Sequence, residues 1–180
     1  MSRLFWTTLV AVAVLAAGCG GGDDDESASE EWVSGLCSAA ADWRSSLEET
    51  VSQFQSPSDL SAESLRSAVD DGLDATESFV DDVRSLGRPE TEAGQQASEI
   101  VDSMATEVES TADDLRETFD SGGDSLTELI AKLSTAGTQI QQMGQDLQSS
   151  LEEIEGLEGG GELRDEIESN EDCDAARAGS

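Results

Sequence analysis

"LTELIAKLSTAGTQIQQMGQDLQSSLEEIE", residues 126–155, decides the fold. Leu126, Leu129, Leu133, Ala136, Ile140, Met143, Leu147, Leu151 and Ile154 recur at steps of three or four, so they gather on one face of a long helix. Ser125 and Glu128 have the spacing of a capping box at its start, and Gly159, Gly160 and Gly161 close it.

Three further stripes precede it. The first is Val33, Leu36, Ala40, Trp43, Leu47, Val51 and Phe54, with Ser27 and Glu30 placed to cap its start and Pro57 to end it. The second is Leu65, Val69, Leu73, Thr76, Val80 and Val83, stopped by Gly87 and Pro89. The third runs from Ala93 through Ala97, Ile100, Met104, Val108 and Leu115 to Phe119, before Gly122 and Gly123. A short amphipathic piece around Leu163 and Ile167 follows the fourth stripe, then a polar tail. No stretch alternates with period two, so strands are not expected. Four long helices with short connections predict an all-α fold, an antiparallel up-down-up-down four-helix bundle with a short C-terminal helix. Gly72, Gly94, Gly137 and Gly144 lie inside the stripes, where each costs about 1 kcal/mol against alanine. They mark kinks or places where two helices approach closely.

The N-terminus has the parts of a secretory signal. Arg3 is followed by an apolar stretch from Leu4 to Ala17 and by small residues up to Gly18. At about 1.5 Å per residue this stretch falls short of a ~30 Å hydrocarbon core. Leu15-Ala16-Ala17-Gly18-Cys19 resembles the lipobox of bacterial lipoproteins, with the leucine one place earlier than usual. The resemblance implies cleavage before Cys19 and lipidation of its thiol, and two acyl chains hold a protein stably on a membrane. Glycines 20–22 and aspartates 23–25 then read as a loose, charge-extended spacer. The expected division is a signal at 1–18, a flexible acidic tether at 19–28 and a helical domain at 29–180.

The chain carries 41 acidic against 9 basic residues, a net charge of −32. That balance excludes nucleic acid, whose binding relies on Lys and Arg, and it excludes docking of the body onto anionic lipid. It suits cations or basic partners, and it strains the compact state by self-repulsion. The basic residues are placed for local pairs four apart: Arg44–Glu48, Arg66–Asp70, Arg116–Asp120, Arg164–Glu168 and Glu128–Lys132.

Besides Cys19, the cysteines are Cys37 and Cys173, which in an exported domain read as one disulfide. An even number of helices brings both to the same end of the bundle. Without histidine there is no Ser-His-Asp or Cys-His arrangement, and no enzyme is expected. "DSGGDSLTE" at 120–128 lacks the alternating ligands of an EF-hand loop, so neither a dedicated metal site nor a cofactor is expected. Trp32 and Trp43, three helical turns apart, share a face and read as core.

The opening Trp32, Cys37 and Trp43, "LGRPETEAG" at 86–94 and a late cysteine together are similar to a group of actinobacterial lipoproteins to which no activity attaches. The resemblance implies structure rather than chemistry. The expectation for function is a non-catalytic interaction or structural module, anchored through Cys19 on the extracytoplasmic face of a bacterial cell membrane. Its partners would be the membrane through that anchor and a cell-envelope protein or basic partner. The alternative is a lipoprotein that holds a small apolar ligand between its helices, or cations.

Overall fold

The computed structural model describes residues 23–52, 61–121 and 125–177. All regular structure among them is helical, in the order α1 Asp23–Ser52, α2 Ala62–Ser85, α3 Glu92–Asp120, α4 Leu126–Glu155, α5 Gly161–Ser169 and α6 Glu171–Arg177. The four predicted stripes fall on α1 to α4.

The caps follow the local chemistry. Ser61 and Ser64 close a reciprocal capping box on α2. Thr91 accepts from the Gly94 amide at the start of α3, and Ser125 from the Glu128 amide at the start of α4. The α2 helix stops at Gly87, whose positive φ of 74° is the left-handed conformation that glycine takes without strain.

Helix α1 departs from expectation at its start. It begins at Asp23, so Ser27 and Glu30 lie within it rather than at its start, and the latter part of the expected tether (19–28) is helical. Phe54 and Pro57 lie outside the described residues.

Trp32 Nε1 donates to the Gly87 carbonyl at 3.1 Å and Trp43 Nε1 to Thr76 Oγ1 at 3.0 Å, so α1 and α2 run antiparallel. Arg84–Glu109 and Arg116–Glu77 ion pairs do the same for α2 and α3. Helix α3 packs on α4 as well, and α4 on α5. Besides α2, the helices that α1 packs against most extensively are α5 and α6. The C-terminal segment thus forms two short helices where one was expected.

A main core joins all six helices around Val33, Leu36, Phe79, Ala97, Leu151, Ile154 and Ile167. Both indoles are buried, and Trp43 stacks on Phe79 with ring centroids 5.0 Å apart. A smaller, alanine-containing cluster of Leu73, Ala112, Leu115 and Ala136 sits apart from it.

Candidate functional site

Cys37 and Cys173 are both fully buried at disulfide distance, with Cα atoms 4.7 Å apart across 136 residues. Helix α6 brings the second cysteine there. Asn170 starts α6, its Oδ1 accepting from the amides of Asp172 and Cys173 at 2.9 and 3.4 Å. Arg44 donates to the Ala176 carbonyl at 3.2 Å, and Arg177 pairs with Glu155, so α6 is tied to both α1 and α4. Cys19 and the signal segment lie outside the described residues. No helix among the described residues is long and apolar enough to cross a membrane.

Basic side chains bridge helices more than expected. Arg44 does pair with Glu48. Arg116 instead reaches back to Asp113 and across to Glu77, not to Asp120, and Arg164 donates to the Glu155 carbonyl at the end of α4, not to Glu168. The α2–α3 seam is further spanned by Arg88–Asp102 at 2.8 Å and by Arg84–Glu109 at 2.6 Å. The hydrogen bond from Arg84 holds the Glu109 carboxyl below its usual range, and the same bond raises the guanidinium. Among the described residues, no three Asp, Glu, His or Cys side chains converge as a metal site.

Two hollows bear on function. The larger, about 540 Å³, is a groove between α3 and α4 with Glu99, Glu107, Asp146 and Glu153 on its walls. Such walls keep water. The second, about 190 Å³, is lined by α1 to α4 at the end away from Cys37 and Cys173, between the two clusters, and is partly open to the surface. Leu47, Val69, Leu73, Leu115, Ile140 and Met143 make most of its wall, and Gly72, Ala112 and Ala136 are small residues among its lining.

The polar groups of this cavity are already satisfied. Thr50 Oγ1 donates to the Ser46 carbonyl at 2.9 Å and Thr76 Oγ1 to the Gly72 carbonyl at 2.8 Å. Thr76 also accepts from Trp43. A water entering here would lack the two to four polar partners that a buried water needs. The cavity therefore suits an apolar occupant.

Sequence patterning finds most of the residues in this wall but assigns them to a filled core. The signal for a cavity is the coincidence of Gly72, Ala112 and Ala136 at one level of three helices, and that coincidence exists only after the helices are brought together. No protein-family model, curated protein or solved structure matches the chain.

Proposed function

We propose that this chain is a non-catalytic lipoprotein of the bacterial cell envelope, anchored through Cys19 on the extracytoplasmic face of the membrane, that holds a small apolar molecule between its helices. In this reading α1 to α4 form an antiparallel up-down-up-down four-helix bundle, and α5 and α6 are pinned to it by a Cys37–Cys173 disulfide. The lipobox-like Leu15 to Cys19 supports the anchor. The observation that carries the binding function is the apolar cavity walled by Leu73, Leu115, Ile140 and Met143. Its volume is that of a site for a small ring or the end of one aliphatic chain, near that of an apolar cavity known to admit benzene, about 150 Å³. It falls short of the roughly 300 Å³ and more of pockets for drug-sized ligands.

Thermal unfolding in toluene and in octanol tests this. A ligand bound to the folded state at a hundred times its Kd adds about 2.7 kcal/mol of stability. Ala136→Leu and, separately, Ala112→Leu place methyl groups in the cavity and are expected to abolish the ligand-dependent shift. If neither probe raises the melting temperature of the wild-type chain, the binding reading is wrong. If the shift persists in both filled variants, the ligand binds elsewhere.

A further inference from the structure

The acidic residues are distributed along almost the whole chain, yet residues 129–145, "LIAKLSTAGTQIQQMGQ", contain none. It is the longest acid-free run beyond residue 22, and it forms the first half of α4. Within this stretch Leu129, Ala136 and Met143 are buried, Leu133 and Ile140 are half-buried against the cavity, and Ile130, Ser134, Gly137, Gln141 and Gln145 are exposed. Leu126 and Ile130 are 38% and 49% exposed and are the large apolar side chains that stand out on the surface of the described residues. With Gly137, Gln141 and Gly144 they form one ridge, since steps of 4, 7, 4 and 3 residues return to nearly the same side of a helix.

The glycines on this ridge have no reason within the chain. A Cβ placed on Gly137 or Gly144 would meet nothing within 4 Å. By contrast, a Cβ on Gly94 would come within 2.4 Å of Pro89. Glycine inside a helix weakens it, so two that the folded monomer does not require indicate a surface that another backbone approaches closely.

We propose that the α4 ridge Leu126, Ile130, Gly137, Gln141 and Gly144 is a self-association surface, and that a second copy of this chain packs α4 against α4. Charge selects this occupant. The outward faces of α2 and α3 carry Asp70, Asp71, Asp74, Glu107, Asp113 and Asp114, so two copies meeting there would set carboxylate against carboxylate. At the ridge no acid faces its twin. Gln141 on the ridge, with Ser134 and Gln145 alongside, can both donate and accept hydrogen bonds, so the face complements itself, as a two-fold interface requires. One helix face buries less than the roughly 800 Å² per partner of a stable complex, so the association is weak and concentration-dependent. The proposal does not depend on what fills the cavity.

Photo-crosslinking of the full chain tests it. The purified Gln141→benzoylphenylalanine variant, irradiated over a range of protein concentrations, is expected to give an adduct of twice the chain mass. Its yield should rise with concentration and with ionic strength, because salt screens the repulsion between the remaining surfaces. Asp114→benzoylphenylalanine is expected to give none. Ile130→Glu, added to the Gln141 variant, is expected to remove the adduct while helix content by circular dichroism is unchanged, since Ile130 is half exposed. The proposal fails if the Gln141 position gives no dimer adduct at the highest concentration. It also fails if the Asp114 position crosslinks as well, if the adduct survives Ile130→Glu, or if irradiation in cells joins this position only to another protein or to lipid.

Discussion

Trp43 and Thr76 show how single side chains set the boundary between the filled core and the cavity. The indole is 5% exposed, stacks on Phe79 and gives its one hydrogen to Thr76 Oγ1. Thr76 passes its own hydrogen to the Gly72 carbonyl, so the hydroxyl that borders the cavity has both its donor and an acceptor site used. Thr76→Val keeps the shape but leaves the indole N–H buried without an acceptor, a loss of about 1–3 kcal/mol. Trp43→Phe removes the donor as well as part of the ring. The double variant Trp43→Phe/Thr76→Val is therefore expected to be more stable than the sum of the two single losses predicts, by on the order of 1 kcal/mol. Urea unfolding of the four proteins of this cycle measures it, and strict additivity would mean that the hydrogen bond contributes nothing.

At the scale of elements, each long helix is legible where its apolar residues are large and regularly spaced. The stripes on α2 and α3 lead directly to their buried faces, and so does that on α4 except at Leu126, which was expected in the core and is 38% exposed; Ser125 and Gly87 mark real boundaries. The α6 helix was not legible, because its seven residues are too few to display a stripe. Its local signal is Asn170 ahead of Glu171, Asp172 and Asp174, a cap followed by acids at the positive end of a helix. The partners of Arg116 and Arg164 were hidden for another reason: in so acidic a chain, any arginine has several carboxylates within reach, and only packing chooses among them. The cavity and the α4 ridge were hidden because the sequence marks a residue as apolar or small without saying what stands opposite it. Gly137 makes this testable within one element. Its surroundings are open, so Gly137→Ala should stabilise the dilute, monomeric chain by about 1 kcal/mol through helix propensity alone. A chemical-denaturation midpoint that falls instead would mean that α4 needs the glycine for its own fold.

Over the whole molecule, a net charge of −32 pushes outward against a core built largely from alanine, valine and leucine. Resistance is concentrated at one end. There α5 and α6 cover α1, Trp32 is buried, and Cys37 lies against Cys173 across 136 residues of chain. The opposite end holds the cavity and the smaller cluster. Closing a loop of that length removes about 5 kcal/mol of unfolded-state entropy, as much as the whole stability of a marginal domain. Repulsion among exposed carboxylates depends on salt, with a screening length of about 30 Å at 0.01 M and about 3 Å at 1 M. The two effects should therefore substitute for one another. Reduced protein at low ionic strength is expected to lose most of its helical circular-dichroism signal at room temperature. The same protein in about 1 M salt, where repulsion is screened, should regain that signal, and the oxidised protein should remain helical in both. Hydrogen exchange should show the cavity end, from Ala112 to Met143, opening before the segment around Cys37 in the oxidised protein, since loosely packed regions open at lower free energy. If reduction leaves the melting temperature unchanged at either ionic strength, the cysteine pair does not hold the charged fold together.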